Sequence, residues 1–107
     1  MSTVWISLTA DGEVTEHDTK ATLQDMQAAV GGWIEPVDTK DYTMMVNEDG
    51  LLIGLPLNPA ASSLTGRYIV GNVCMVGLPD SYGNTKKLNK GTVERLRYAL
   101  TGRVERL

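Results

Sequence analysis

The residue types at the beginning of the chain predict a strand, a turn and a second strand. Residues 3–8 are rich in β-branched and aromatic side chains, which favour extended backbone. An Asp-Gly pair, a strong turn signal, separates them from a shorter run at 13–15 that we expect to pair back. His17 is the one histidine of the sequence, and the polar residues around it predict a solvated loop position rather than a catalytic or metal-binding one.

Residues 33–37 predict a strand whose two faces differ. The alternation puts Trp33, Glu35 and Val37 on one side and Ile34 on the other. Pro36 has no backbone N–H to donate to a neighbouring strand, which confines it to an edge or a break. We therefore expect this segment either at the edge of the sheet or broken at Pro36.

Two further apolar runs predict the rest of the sheet. Residues 42–46 form the cleanest strand pattern, and the turn residues 47–50 predict a tight hairpin that leads into a return strand at 51–55. A longer apolar run follows at 68–77, where Gly71 indicates a bulge or a sharp bend.

A helix over residues 22–30 is predicted by its ends as well as by its spacing. Thr22 and Asp25 have the spacing of a capping box, and Gly31 can adopt the positive φ that ends a helix. Such a short helix must be stabilised by packing on the sheet. The apolar stripe expected to make that contact is Leu23, Met26 and Val30.

Two more helices are indicated further along the chain. Asn58 followed by Pro59 predicts the start of a short helix, because Asn caps unpaired backbone donors and Pro is tolerated in the first turn. Another helix is capped by Thr92 and either continues to the chain end or stops near Leu100, since Gly102 disfavours a helix interior. Its apolar stripe consists of Val93, Leu96, Leu100, Val104 and Leu107.

Together these elements predict an α+β fold with a small, mainly antiparallel sheet, a short helix at about 22–30 and a C-terminal amphipathic helix from about 92. With 107 residues the chain is long enough for one such domain. We place that domain at 1–83 and treat 84–107 as a basic loop and helix that packs on it or extends from it. An antiparallel sheet of this kind exposes a face or an edge unless helices cover it.

Composition narrows the function classes. Apolar residues make up 42% and charged residues 21% of the chain, which is usual for a folded domain. Cys74 is the single cysteine, so we expect neither an internal disulfide nor a cysteine-based zinc site, and its apolar strand predicts a buried thiol. We expect no metal and no cofactor. Without a signal-peptide pattern or an apolar run of about 20 residues, the sequence predicts a soluble cytoplasmic protein that does not contact membranes.

Charge is distributed unevenly along the chain. Residues 1–83 hold 3 basic and 11 acidic side chains, a net charge of −8, whereas 84–107 hold 7 basic and 2 acidic ones, a net charge of +5. One interpretation is intramolecular: a basic helix lies over an acidic sheet. The other is a nucleic-acid site whose basic side chains neutralise phosphates. Its candidates are Lys86, Lys87, Lys90, Arg95, Arg97, Arg103 and Arg106.

An ordered set of short motifs runs from about residue 22 to residue 77. It consists of Leu23-Gln24, Val30-Gly31-Gly32-Trp33-Ile34-Glu35, Asn47-Glu48-Asp49-Gly50, Gly54-Leu55-Pro56-Leu57-Asn58, Ala61 and Ile69-Val70-Gly71-Asn72-Val73. In this order the motifs resemble a small family that is classified only as a domain of unknown function and is common in bacteriophages, plasmids and actinobacterial mobile DNA. The resemblance implies a mobile-element origin and a small accessory role, and it brings no catalytic residue. The basic segment from Asn84 onward lies outside it.

Four motif residues are explained less well by structure than the glycines and prolines: Trp33, Glu35, Glu48 and Asn58. We hypothesise that they form a partner- or ligand-binding site. No nucleophile–base pair, metal cluster or phosphate loop is visible, so no catalytic residue is expected. The favoured function is non-enzymatic binding to a host protein, or to a second copy of the chain, in host takeover or counter-defence. The alternatives are small-molecule or nucleotide binding at these four residues, and nucleic-acid binding through the basic segment.

Overall fold

The computed structural model describes residues 2–102, and five strands and three helices lie within them. In chain order they are β1 (Trp5–Leu8), β2 (Val14–His17), α1 (Leu23–Val30), β3 (Ile34–Asp38), β4 (Thr43–Asn47), α2 (Pro59–Thr65), β5 (Val73–Val76) and α3 (Lys90–Thr101). The strands form one sheet in the order β2-β1-β5-β4-β3, and every neighbouring pair is antiparallel. The predicted α+β class, the helix near 22–30 and the C-terminal helix are confirmed.

β5, the last strand within residues 2–102, occupies the centre of the sheet. Ser7 of β1 and Met45 of β4 both lie opposite Cys74 of β5. The hairpins β1–β2 and β3–β4 therefore join one another only through β5. β3 is an outer strand of the sheet, as predicted from the missing N–H of Pro36. Within the β3–β4 hairpin, Pro36 lies opposite Met45.

Helices cover both faces of the sheet. Alternate side chains of the central strands therefore enter two separate cores, one on each face. On the α1 side, Trp5, Cys74 and Val76 pack with Ala21 and Met26. Burying a Val, Leu, Ile or Met side chain contributes about 1.5–3 kcal/mol, so both cores stabilise the sheet substantially. The opposite core includes side chains of α2 and α3, and its members are Ile6, Leu8, Val37, Tyr42, Met44, Val46, Ala61, Ile69, Val73, Met75, Leu88, Val93 and Leu96.

Helix α1 begins at the predicted capping box. Thr22 Oγ1 accepts from the Asp25 N–H, and the Asp25 carboxylate accepts from the Thr22 N–H, each at 3.0 Å. Met26 and Val30 are buried as predicted, but the expectation that Leu23 shares their buried face is wrong. Leu23 is the first residue of the helix and remains 50% exposed, because the contact with the sheet begins one turn later.

Helix α3 begins earlier than predicted. Asn89, not Thr92, is its N-cap, and Asn89 Oδ1 accepts from the Gly91 N–H at 2.8 Å. Thr92 is buried instead. Gly102 adopts a φ of 70° and ends the helix, so the shorter of the two predicted extents is observed. The remaining residues of the predicted stripe, Val104 and Leu107, lie outside the described residues.

Residues 51–55 do not form the predicted return strand. Both edges of β4 are occupied, by β3 and β5, so a strand that turned back from β4 would have no edge with which to pair. The chain instead forms successive turns, in which the Ile53 N–H donates to Asp49 O at 3.0 Å. Because these turns lie outside the sheet, the side chains of Leu51, Leu52 and Ile53 are exposed.

The strand predicted at 68–77 is also shorter than expected. Gly71 takes a φ of 77°, which bends the chain before β5 begins at Val73. A Cβ at Gly71 would lie 2.7 Å from Leu55 Cδ1, so this bend needs glycine for space as well as for its backbone angle. The predicted bend at Gly71 is therefore present, and only an isolated bridge between Val70 and Leu57 precedes it.

Candidate functional site

One cleft brings together two of the four residues predicted as a binding site. It has a volume of about 450 Å³ and lies between the β3–β4 end of the sheet, the turns after β4 and the segment after α2. Glu35, Glu48, Arg67 and Tyr68 contribute polar groups to it. The other lining residues are Val37, Val46, Asn47, Leu51, Leu52, Ile69 and Val70. This surface is hereafter the Glu35–Glu48 cleft.

Sheet register positions the first carboxylate of the cleft. Glu35 lies opposite Val46 and Val37 lies opposite Met44, so Glu35 and Val37 share one face of the sheet, as the alternation predicts. Val37 is buried in the core, whereas Glu35 is exposed near the start of β3. The cleft therefore has an apolar floor that continues into the core and an acidic group at its rim.

Asn47 holds the turn that carries the second carboxylate. Its Nδ2 donates to Val30 O at 3.1 Å, and its Oδ1 accepts from the Asp49 N–H at 2.9 Å. The Glu48 N–H donates to Trp33 O at 2.8 Å, which joins the turn to the start of β3. Sequence reasoning missed Asn47, although an Asn two residues before its backbone partner is the signal of an Asx turn.

Asn58 is fully buried, does not line the cleft and has a structural role. Its Oδ1 accepts from the Ala61 N–H at 3.0 Å and caps α2, as predicted. Its Nδ2 donates to Gly71 O at 2.9 Å and to Leu8 O at 3.4 Å. The Asn58 N–H donates to Ile69 O at 2.8 Å, so this residue supports the cleft wall from within the fold.

Exposed apolar side chains adjoin the cleft. Leu51, Leu52 and Tyr68 line it and are 70%, 87% and 69% exposed. Ile53 follows directly in the chain, and Trp33 is joined to Glu48 through its carbonyl. Trp33 itself is 67% exposed and does not line the cleft. The set Trp33, Leu51, Leu52, Ile53 and Tyr68 is hereafter the Leu52 patch.

Two arginines predicted as a nucleic-acid site contact acidic side chains of the same chain. Arg97 forms a bidentate pair with Glu16, with Nε and Nη2 at 2.9 and 2.6 Å from the two carboxylate oxygens. The Arg97 guanidinium, assisted by the Thr3 hydroxyl, lowers the pKa of Glu16 against the opposing effect of burial. Arg95 lies 3.8 Å from Asp41 at an exposed position. These contacts favour the intramolecular interpretation of the basic segment.

The remaining basic candidates among the described residues divide between two surfaces, one of which includes Arg97. Lys87 and Lys90 line one groove together with Arg97. Lys86 and Lys87 line a different pocket, together with Lys20. Lys90 is exposed at the first position of α3. The last two candidates, Arg103 and Arg106, lie outside the described residues.

The prediction that His17 lies in a solvated loop is wrong, because His17 is the last residue of β2. The register places it opposite Trp5, and the two rings stack with centroids 3.7 Å apart. Burial lowers the pKa of His17, although the charges of Asp25 and Asp18 oppose this shift. His17 Nε2 is 2.9 Å from Ser7 Oγ, a pairing that sequence reasoning missed because it depends on strand register.

The Ser7–His17 pair lacks the other parts of a nucleophilic site. Neither residue lines the clefts described above, and no carboxylate within residues 2–102 is hydrogen-bonded to the imidazole ring. Burial raises the pKa of the Cys74 thiol to about 12, which keeps it protonated and unreactive. Within the same residues, no group of three or more His, Cys, Asp or Glu side chains is placed to hold a metal ion.

A family match accounts for nearly the whole described chain. Residues 5–101 match the family described as Domain of unknown function (DUF3846). The chain belongs to this family. The match extends well beyond 22–77 and includes α3, so the expectation that the segment from Asn84 lies outside the family is wrong. No match was found among curated proteins or among solved structures.

The family description names no activity. None of the helices within residues 2–102 has the length and apolar character needed to cross a bilayer.

Proposed function

We propose that this protein acts without catalysis, by binding another protein through the Glu35–Glu48 cleft and the Leu52 patch. The observation that carries the proposal is the patch itself. All five of its large apolar side chains are at least 62% exposed, and three of them, Leu51, Leu52 and Tyr68, line the cleft. Large apolar patches are uncommon on monomeric proteins and usually mark interaction surfaces.

The chemistry of the cleft selects a partner that carries a basic side chain next to apolar ones. Two carboxylates, Glu35 and Glu48, line the cleft against the single guanidinium of Arg67. Leu52 and Tyr68 supply apolar and aromatic contact area, and aromatic residues are frequent among the interface residues that contribute most of the binding energy. The net charge of −8 on residues 1–83 increases the rate at which a basic surface is encountered.

In the mobile-element setting that the sequence resemblance implies, this partner is a host protein, and binding serves host takeover or counter-defence. A second copy of the chain is the other protein that the patch could bind. Pairing through the outer strand β3 is disfavoured, because Pro36 removes a backbone donor from that edge. The exposed side chains, and not strand addition, therefore supply the contact.

The second candidate function is small-molecule binding in the same cleft. Its volume of about 450 Å³ falls within the range of about 300–1,000 Å³ that is usual for ligand pockets. Because Glu35 and Glu48 repel phosphate groups, the cleft favours a cationic ligand over a nucleotide.

The test compares Leu52→Asp and Glu48→Lys with Tyr82→Asp. Tyr82 is 89% exposed, close to the 87% of Leu52, so the two aspartate variants introduce the same charge at equally accessible positions. Tagged protein is first used to capture and identify a partner from host lysate treated with nuclease. The purified partner is then titrated with each variant by calorimetry.

We expect Leu52→Asp and Glu48→Lys each to weaken binding by more than about tenfold, as for a residue central to an interface, and Tyr82→Asp to leave it unchanged. Equal binding by all three variants would contradict the proposal. Light scattering on the purified protein separates the two protein partners: a dimer that Leu52→Asp dissociates assigns the patch to self-association.

A further inference from the structure

A second pocket differs in chemistry from the Glu35–Glu48 cleft, because three lysines line it. It has a volume of about 370 Å³ and shares no lining residue with the Glu35–Glu48 cleft. Lys20 comes from the segment between β2 and α1, whereas Lys86 and Lys87 come from the segment before α3. Its apolar wall includes Trp5 and Ala21, which belong to the core on the α1 side.

Backbone hydrogen bonds hold the segment that carries two of the lysines. The Gly77 N–H donates to Lys86 O, and the Leu88 N–H donates to Val4 O, each at 2.8 Å. The segment passes so close to Gly77 that a Cβ there would lie 2.2 Å from Lys87 O. The wall is therefore built into the fold, and any side chain at position 77 must displace it.

The three lysines of the pocket are not held in ion pairs by the described residues. Within residues 2–102, none of Lys20, Lys86 and Lys87 forms an ion pair with a carboxylate. Lys86 acts electrostatically on Asp80, but the two are not paired. Three like charges at one pocket create a positive potential that attracts an anion.

Trp5 adds a buried donor without a partner. The residue is only 5% exposed, and its indole N–H has no hydrogen-bond acceptor among the described residues. Buried donors in native proteins are nearly always hydrogen-bonded, so this unpartnered indole N–H makes Trp5 an unusual part of the pocket wall. One face of the indole ring is already covered by His17.

We propose that this pocket binds a small molecule that combines a phosphate or carboxylate group with an aromatic ring. The lysines hold the anionic group, and the apolar wall of Trp5 and Ala21 contacts the ring. The volume of the pocket is sufficient for a ligand of this size. The proposal does not depend on the protein-binding function, because the two sites share no residue.

The experiment uses phenyl phosphate and benzoate as probes, with phenol and inorganic phosphate as the separate halves. Binding is followed by the two indole N–H signals in a nitrogen–proton NMR spectrum, which Trp33→Phe assigns to Trp5 and Trp33. We expect phenyl phosphate or benzoate to shift the Trp5 signal with a Kd of about 1 mM or below, at least tenfold tighter than either half. The Trp33 signal should not move.

Lysine variants test where the anion binds. Lys20→Ala and Lys87→Ala should each weaken the probe by about five- to tenfold, whereas Lys40→Ala, an exposed lysine outside the pocket, should not. Gly77→Ala, checked for folding by circular dichroism, should also weaken it, because the added methyl group displaces the Lys87 backbone.

Three results would overturn the proposal. The first is an unshifted Trp5 signal at a probe concentration of about 10 mM. The second is an equal loss in the Lys40→Ala variant, which would indicate nonspecific charge attraction. The third is binding of a DNA oligonucleotide that requires Lys90 while both aromatic anions fail to bind, which would assign the basic segment to nucleic acid.

Discussion

Replacing Asn58 by Ala should destabilise the fold more than the loss of a helix cap alone. The Oδ1 cap of α2 contributes about 1 kcal/mol. Removing Nδ2 also deprives Gly71 O of a 2.9 Å hydrogen bond inside the protein, which costs about 1–3 kcal/mol. The bond to Leu8 O is long, at 3.4 Å, and adds little. We therefore expect Asn58→Ala to lower the free energy of unfolding by about 3 kcal/mol.

A second asparagine provides a matched control. Asn89 caps α3 through its bond to the Gly91 N–H, but it is exposed. Asn89→Ala should therefore cost only about 1 kcal/mol. Asn58→Asp keeps a capping oxygen but directs a negative oxygen at Gly71 O, so it should destabilise at least as much as Asn58→Ala.

Urea unfolding followed by far-UV circular dichroism measures these differences. With a urea m-value of about 1.5 kcal/mol/M, Asn58→Ala should lower the midpoint by about 2 M and Asn89→Ala by less than about 1 M. If the two alanine variants lower it equally, the buried hydrogen bonds of Asn58 add nothing to the cap and the reasoning is refuted. A large difference would instead assign Asn58 to folding and remove it from the set of binding residues.

Three further predictions concern titratable groups. Arg97→Ala should lower the free energy of unfolding by about 1 kcal/mol at pH 7. Because the folded pKa of Glu16 lies below its ordinary 4.5, this difference in urea stability should shrink as the pH falls below 4.5. A difference that stays constant with pH would contradict the pairing. The NMR titration of His17, the single histidine, should have its midpoint below 6.5, since burial disfavours the charged ring. Folding stability should accordingly fall as the pH drops from 6.5 through this midpoint. A midpoint above 6.5 would exclude this explanation. Cys74 should not react with Ellman's reagent at pH 8 until urea unfolds the protein, and fast reaction in the native state would show that the thiol is accessible.

The ends of α1 and α2 could be predicted from sequence because their chemistry is local, whereas the predicted start of α3 is three residues too late. Thr22 and Asp25 bond to one another's backbone within one turn, and Asn58 caps a helix that starts at the next residue. Gly31 and Gly66 both adopt the left-handed conformation that ends α1 and α2. None of these features depends on a distant part of the chain.

Strand pairing could not be predicted in the same way, because it depends on competition for edges. Residues 51–55 have a strand-like pattern, but β5, which follows later in the chain, takes the edge of β4 that they would need. Register also determines that His17 stacks on Trp5, whereas the polar residues beside it indicate only solvent.

The candidate site could be predicted only in part, because it also depends on which segments the folded chain brings together. Glu35 and Glu48 converge because they lie at the ends of adjacent strands that form a hairpin. Asn58 does not join them, since a side chain that caps a buried helix start is itself buried. Lys20 could not be associated with Lys86 from sequence, because only the folded chain brings their segments together.

The central position of β5 has a consequence for biosynthesis. Both hairpins, β1–β2 and β3–β4, are complete in sequence before Val73 leaves the ribosome, yet each has an inner edge that stays open until β5 arrives. Pairing Ile6 with Met75 closes a long loop, which is slow compared with hairpin formation. A nascent chain that terminates before Val73 therefore presents two unpaired strand edges at once, and it should be a substrate for chaperones and proteases rather than a partly active fragment.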